Sequence, residues 1–385
     1  MIFESLFVNL CCRKLCNFRN ALRKVVNMVE IIDVDGSVLE GGGQILRIAV
    51  SLSAILRQPV RVSNIRAGRK KPGLAAQHLS GIQLVGEMCK AKLKGVSIGS
   101  TQIEIWPGKI LGGHYMADTK TAGSTSLLLQ VALPVALMAD GPVTLDLKGG
   151  TNADMAPQID YTDLVFKPLL HKFGGDLFIT VHRRGYFPRG GGHVTIQINP
   201  VKQLRSVNLT EAGSLVNVRG SCFVAGTLPV KIAYQMCDGA KKHLCDECSE
   251  LDIRCYKEPS GIAPDNCSGI ILSCCLSSGC VIGGDALCKR GCDSFDTGRK
   301  LADELVDQLR KQVCVDHHAQ DQMVLYMALA EGKSVVRSGE VTLHTKTAIF
   351  VAEQLAKVKF NVQDCGDHAF IECNGIGHTN KNLPI

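Results

Sequence analysis

The sequence is poor in aromatic residues and has no long uninterrupted apolar segment. Aromatic side chains make up 5% of the 385 residues, with a single tryptophan. This scarcity argues against an extended surface that stacks on nucleic-acid bases. The apolar run Leu127–Leu137 is interrupted by Gln130 and Pro134 and is too short to span a bilayer. We therefore expect no association with a membrane.

The sequence also lacks a secretory segment followed by a cleavage site, although it contains 18 cysteines. We therefore expect reduced thiols in a cytosolic or nuclear protein rather than a disulfide framework. A C-x-x-C pair often begins a tetrahedral zinc site, but no second pair follows at a customary spacing. We favour structural thiols and expect no structural zinc. The four residues that could form such a zinc knot are His243, Cys245, Cys248 and Cys255.

The net charge of +7 is modest and is concentrated near the start of the chain. Residues 1–27 hold five basic residues against one acidic residue, Glu4, a composition shared with mitochondrial presequences. They also hold three cysteines and little serine. We favour an N-terminal extension upstream of a start at Met28 over a presequence. We expect the protein in the nucleoplasm, with a cytoplasmic pool as the alternative, rather than in mitochondria.

From Val29 onward, short β-branched runs alternate with amphipathic segments, which is typical of an α/β fold with sheets covered by helices. Strands end in turns with Gly, Ser or Thr, and helices follow, as in a repeated βαβ-type unit. Between residues 212 and 314 the cysteine and acidic content rises. We expect an inserted second domain there, within a catalytic domain of residues 28–211 and 315–385. The predicted helices are Ile45–Leu56, Leu74–Met88, Ser124–Met138, Ser294–Lys311 and Lys346–Ala356.

Two segments have the composition of an anion-binding site. The glycines of Glu40–Gln44 lead directly into a helix, whose first N–H groups are free to bind an anion. Arg66 and Arg69 precede the rigid turn Pro72–Gly73, and guanidinium groups fixed in this way suit phosphate oxygens. The alternatives are a tight strand-to-helix connection for the first segment and a solvated charged face for the second.

The most specific string is Arg184–Val194, which contains three consecutive glycines after a proline. It resembles the signature of the RNA 3′-terminal phosphate cyclase family, Arg-Gly-x-x-Pro-x-Gly-Gly-Gly-x-aliphatic, at every defined position. The resemblance extends in the same order from about Val29 to the C-terminus. The other segments that carry it are Glu40–Arg47, Ile65–His78, Thr121–Leu133, Gly149–Tyr161, Asp321–Ala330 and Thr342–Gln354.

The resemblance implies an enzyme that uses ATP to convert an RNA 3′-phosphate into a 2′,3′-cyclic phosphodiester through AMP attached to a histidine. It implies a large domain of repeated βαβαββ-type units with an inserted small α/β domain. The matching histidine is His344. We expect His344 to end a strand and to precede a helix capped by Thr345, whose positive end would lower the imidazole pKa and keep the nucleophile neutral.

The same matching implies the remaining site residues. Glu40 would hold a divalent cation, Mg²⁺ or Mn²⁺, near the triphosphate. His318 lies in a stretch that departs from the family pattern at residues 317–319. Gln130 could instead be a polar group in a packed helix, and His78 a core histidine. The residues implied in ATP binding are Gln130, Pro157, His318, Asp321 and Gln322. Those implied in binding phosphate or RNA are Arg47, Arg66, Arg69 and His78.

The expected partner is RNA with a 3′-phosphate end, and the oligomeric state is open. The main rival to the cyclase is a noncatalytic relative of the same fold that functions in ribosomal RNA processing and lacks the adenylylated histidine. His344, Arg66 and Arg69 favour the cyclase over this rival. An enolpyruvyl transferase would share the repeated units but would lack Arg184–Val194 and the histidine. A simple RNA-binding module would bind RNA without forming a cyclic product.

Overall fold

The computed structural model describes residues 30–383 of the chain, which form four four-stranded sheets and the helices that pack on them. The predictions for residues 1–27 fall outside the described residues. Within residues 30–383, no helix combines the length and the apolar composition that a membrane crossing requires.

The first unit runs strand, helix, strand, helix, strand, strand. Its first two strands pair in parallel, with Val34 opposite Val62, and the others add antiparallel neighbours, which gives the order β1-β2-β4-β3. The valines of β2 are buried and alternate with half-buried neighbours, as expected for a sheet with one face toward the core. The elements are β1 (Ile32–Asp35), α1 (Gly43–Leu56), β2 (Val60–Ser63), α2 (Ala76–Met88), β3 (Lys92–Lys94) and β4 (Ile103–Trp106).

The second unit repeats this arrangement, with sheet order β5-β6-β8-β7 and a parallel β5–β6 pair. Its second helical segment is continuous and contains a π-helical turn, Thr162–Phe166, between α4 and α5. The elements are β5 (Gly113–Asp118), α3 (Thr125–Ala136), β6 (Val143–Gly149), α4 (Ile159–Tyr161), α5 (Lys167–Phe173), β7 (Leu177–Arg183) and β8 (Gly192–Ile198).

A separate sheet follows the short strand β9 (Asn208–Leu209), in the order β11-β10-β12-β13. Its two helices pack against each other and α6 lies on the sheet. The elements are β10 (Leu215–Ala225), α6 (Lys231–Leu244), β11 (Leu251–Lys257), β12 (Cys267–Leu276), β13 (Val281–Leu287) and α7 (Ser294–Arg310).

The third unit begins at β9 and resumes after this insertion. Its sheet has the order β9-β14-β16-β15, so all three units share one connectivity. The predicted fold class, repeated βαβαββ units with an inserted α/β element, is therefore confirmed. The elements are α8 (His317–Leu329), β14 (Glu331–Ser338), α9 (Leu343–Ala356), β15 (Phe360–Asp364) and β16 (Ala369–Ile376).

Helix α1 lies at the centre of the helical layer. Residues on every side of it are buried, including Gln44, Ile45, Ala49 and Leu52, which is typical of a helix surrounded by other elements. It packs against α2, α3 and α9, and α9 also packs against α8. This packing brings the start of α1 close to the starts of helices from the last part of the chain.

Candidate active site

His344 lies in the first turn of α9 with its side chain exposed. The prediction that it ends a strand and precedes a helix capped by Thr345 is wrong, because β14 ends at Ser338 and His344 lies within the helix. The helix begins at Leu343, and its cap is Thr342, whose hydroxyl accepts a hydrogen bond from the Thr345 backbone N–H at 3.1 Å. Because the Thr342 side chain satisfies that free N–H group, the helix starts earlier than expected. His344 is thus the second helical residue, at the positive end of the helix dipole.

Two side chains of α8 interact electrostatically with His344. Asp321 is buried, which raises its pKa, whereas Arg47 and His344 act in the opposite direction. Burial lowers the pKa of His318 to about 4, and His317 and His344 add to that effect. His318 is therefore neutral at physiological pH. Its ring meets the edge of Tyr161 at 5.5 Å between centroids.

Gly43 begins α1 between two of the predicted phosphate-binding side chains. A Cβ atom at this position would lie 2.6 Å from His78 Nε2 and 3.1 Å from Arg47 Nη1, so only glycine leaves the space open. No side chain caps the helix at Gly42, so its first N–H groups remain available. These features together form a place suited to an anion.

Arginine side chains supply positive charge near the start of α1. Burial lowers the pKa of His78 to about 4, and Arg66 and Arg47 act in the same direction. Arg66 donates from Nη1 to the Gly73 carbonyl at 2.8 Å, which holds its guanidinium in place. The arginines therefore supply the cationic charge while His78 stays neutral.

Glu40 connects the glycine turn to α9 and to Arg69. Its backbone N–H donates to Thr347 Oγ1 at 3.2 Å, and its Oε1 pairs with Arg69 Nη2. Its Oε2 is buried and lacks a hydrogen-bond partner among residues 30–383. A buried carboxylate oxygen without a donor is suited to a hard cation such as Mg²⁺.

A pocket between α1, α3 and α8 contains two of the predicted ATP-binding residues. Gln130 and Gln322 line it together with Arg47. Gln322 also donates from Nε2 to the His318 carbonyl at 2.7 Å. Its walls combine apolar and polar side chains, and the open space between them is about 20 Å³, which is room for about one water molecule. The apolar residues of the wall are Ile48, Leu129, Leu133, Pro134, Phe166, Leu325 and Tyr326.

Pro157 is buried just before α4. The segment that follows it reaches the start of α8, because Tyr161 donates to Asp316 Oδ1 at 2.6 Å. Asp316 is the N-cap of α8, and it accepts from the His318 backbone N–H at 2.9 Å. The Pro157 segment is therefore linked to the site through the cap of α8.

The signature string, residues 184–194, forms the connection between β7 and β8 rather than a part of the cluster around His344. Arg184 donates to both carboxylate oxygens of Asp160, at 2.6 and 2.9 Å, and to Glu258 Oε1 at 3.0 Å. A Cβ atom at Gly185 would lie 2.2 Å from the carbonyl oxygen that ends β6. The string therefore packs closely against β6 within the second unit, and its Arg184 joins that unit to the inserted sheet through the ion pair with Glu258.

Two residues that support the site were not predicted from the sequence. Gln320 is buried and binds the residues that begin α9, and Thr347 holds the turn at Glu40. Gln320 lies within the segment His318–Gln322 that the resemblance places around ATP, but its role in holding α9 was not predicted. Thr347 lies in the family-like segment Thr342–Gln354, three residues after the histidine, but its bond to Glu40 was not predicted.

Comparisons with known proteins identify the family of this chain. A family model described as RNA 3′-terminal phosphate cyclase matches residues 38–362. A Drosophila melanogaster protein named RNA 3′-terminal phosphate cyclase is 42% identical over 355 residues, which cover 91% of this chain and 98% of the relative. A Pyrobaculum aerophilum protein of the same name is 39% identical over 347 residues, which cover 90% and 99%. The solved structure of the enolpyruvyl transferase NikO from Streptomyces tendae aligns with a TM-score of 0.35 at 10% identity, covering 91% of this chain and 49% of that one, and carries no argument.

Proposed function

Because the chain belongs to the RNA 3′-terminal phosphate cyclase family, we propose that ATP adenylylates His344 and that the AMP then activates an RNA 3′-phosphate for ring closure. One observation carries this proposal. The exposed His344 lies in the first turn of α9, which Thr347 joins to the glycine turn before α1. At that turn, arginine side chains and free N–H groups suit a polyphosphate.

In the first transfer, an unprotonated imidazole nitrogen of His344 attacks the α-phosphorus of ATP. A nitrogen–phosphorus bond forms, the bond to the β-phosphate oxygen breaks, and pyrophosphate leaves. The start of α9 stabilises negative charge at the attached nucleotide, because its N–H groups and dipole lie beside it. Asp321 would help to orient the imidazole from α8.

The triphosphate would bind at the start of α1. Arg47 and Arg66 offset the charge that develops on the departing pyrophosphate, and the N–H groups after Gly42 approach the phosphate oxygens. The base would bind beside Gln130 and Gln322, whose pocket must widen to admit it.

A divalent cation fits the chemistry of this place. The buried Oε2 of Glu40 has no donor among residues 30–383, and a carboxylate with phosphate oxygens and waters is the usual ligand set of Mg²⁺. When bound, the cation would neutralise charge on the triphosphate. Arg69, which pairs with the other oxygen of Glu40, would keep the carboxylate oriented toward the phosphates.

The second and third transfers complete the reaction. An oxygen of the RNA 3′-phosphate attacks the AMP phosphorus, the bond to His344 breaks, and an RNA–adenylate anhydride forms. The neighbouring 2′-OH then attacks the RNA phosphorus, loses its proton and expels AMP, which leaves a 2′,3′-cyclic phosphodiester. This last step benefits from proximity because both reacting groups belong to one ribose.

Incubation with ATP labelled at the α-phosphate tests the proposal. Wild type should acquire a label that acid removes and base does not, and His344→Ala should acquire none. His171→Ala, an exposed histidine on α5 that pairs with Asp176, is the matched control and should label fully. If His344→Ala still labels or still closes RNA ends, the proposal is wrong. A noncatalytic relative would leave even the wild type unlabelled.

A further inference from the structure

Three cysteine side chains of the inserted sheet and its helix meet at one point. Cys222 on β10 and Cys255 on β11 are direct neighbours in a parallel pair. Cys237 projects from α6, which covers these strands, and the three Sγ atoms lie within 4.8 Å of one another. Among residues 30–383, no other group of three histidine, cysteine, aspartate or glutamate side chains comes this close together.

This cluster differs from the zinc knot that the sequence suggested. His243 pairs instead with Asp303 at 2.8 Å, and Cys245 is exposed. Only Cys255 belongs to both sets. The cluster therefore arises from a strand pairing and a helix crossing that cysteine spacing does not reveal.

The cluster is closed on two sides and reachable on the third. Cys222 is 0% exposed and Cys237 is 3% exposed, whereas Cys255 is partly exposed. Cysteines often fill cores as small apolar residues, but three sulfurs in contact also polarise one another. An ion could enter from the side of Cys255 and be shielded from water afterwards.

We propose that Cys222, Cys237 and Cys255 form a three-sulfur site for a thiophilic metal ion, of the class of Zn²⁺ and Cu⁺. Metal–sulfur bonds of about 2.3 Å place such sulfurs about 4 Å apart, so the side chains need to move by less than about 1 Å. On binding, the thiol protons pass to solvent as sulfur–metal bonds form. The ion ties β10, β11 and α6 together, at a place separate from His344.

The test uses the full chain, reduced and stripped of metal, with Zn²⁺ alone or Cu⁺ alone as the probe. Cys255→Ser removes one ligand at a partly exposed position, and Cys275→Ser, a partly exposed cysteine of β12 in the same sheet, is the matched control. Wild type and the control should retain one equivalent of one of the two ions after gel filtration and release protons on binding. Cys255→Ser should bind it at least tenfold more weakly.

Thermal unfolding provides the second measurement, because an ion that binds only the folded state raises the midpoint. The ion should raise the midpoint of wild type and of Cys275→Ser but not of Cys255→Ser, and adenylylation of His344 should be the same in all three. Cys222→Ala repeats the test at a fully buried ligand. Equal retention by Cys255→Ser, no retention of either ion by wild type, or a disulfide among the three cysteines would overturn the proposal.

Discussion

Gln320 accepts a hydrogen bond from the backbone N–H of Thr342 at 3.0 Å, which ties α8 to the residue that caps α9. The same side chain donates from Nε2 to Ser338 Oγ at 2.8 Å, at the end of β14. Gln320 is buried, so these bonds form away from water. The amide therefore anchors the residue that caps α9, two positions before His344.

Removal of this amide should affect both stability and the reaction. Gln320→Ala leaves the Thr342 N–H and the Ser338 hydroxyl with fewer partners, and each buried unsatisfied group costs about 1–3 kcal/mol. We expect a lower free energy of unfolding by urea and slower labelling of His344 by ATP. Gln363→Ala, at an exposed position of β15, is the control and should change neither. Unchanged labelling in Gln320→Ala would contradict a positioning role.

The free energy of unfolding should decrease as the pH is lowered, in part because of His318. Its pKa in the folded protein is about 4, below the ordinary 6.5, so the unfolded chain binds a proton first as the pH decreases. Stability is therefore fully present above about pH 6.5 and is lost progressively toward pH 4. Urea unfolding at several pH values should show a shallower decline for His318→Asn than for wild type. His171→Asn, at an exposed site, should retain the wild-type slope, and an identical slope in His318→Asn would refute the assignment.

Glu40→Gln should weaken the apparent affinity for the divalent cation that supports adenylylation. The substitution keeps the shape of the side chain but removes the negative charge that attracts Mg²⁺. We expect the cation concentration for half-maximal labelling to rise about tenfold, or ~1.4 kcal/mol, with a smaller change in stability. Glu87→Gln, on the exposed face of α2, is the control. The same cation requirement in both variants would argue against Glu40 as a ligand.

Gly43→Ala should impair ATP binding because the added methyl group would occupy the space between His78 and Arg47. The Cβ atom would lie 2.6 Å from His78 Nε2, closer than side chains tolerate. Labelling at limiting ATP should slow by about tenfold or more, which is ~1.4 kcal/mol. Gly141→Ala, where no atom lies within 4 Å of the added Cβ, serves as the control. Equal rates would show that this space is not used.

Arg184→Ala should destabilise the fold more than any exposed arginine variant. The substitution leaves Asp160 and Glu258 without their shared cation, and breaking a buried ion pair from one side costs about 3–5 kcal/mol. Arg189, which is 78% exposed and pairs with Asp265 at 3.1 Å, is the control, and its removal should cost less than about 1 kcal/mol. Urea unfolding measures both. Similar losses would mean that the Arg184 network adds no more stability than an exposed ion pair.

The sequence predicted the parts of this molecule whose causes are local. The glycine turn after Glu40 and the helix that follows depend on neighbouring residues, and the repeated units follow from hydrophobic periodicity. The cap of α9 was misplaced because Thr342 and Thr345 lie three residues apart and both can cap a helix. Only the direction of the Thr342 hydroxyl in the folded chain decides between them.

The contacts that unite the site could not be predicted in this way, because they join segments distant in sequence. The hydrogen bonds of Gln320 and Thr347 depend on how helices from different units pack. The string at residues 184–194 is easy to recognise in the sequence but lies outside the cluster around His344. Its composition reflects the close approach of Gly185 to β6 and the ion pairs of Arg184. The assignments of individual residues to ATP, metal and RNA stay predictions.

The hydrogen bond between Glu40 and Thr347 spans 307 positions of the chain. A ribosome must therefore release almost the entire polypeptide before the glycine turn at Glu40 and helix α9 can meet. Any product of premature termination that ends before α9 would carry the arginines without the histidine.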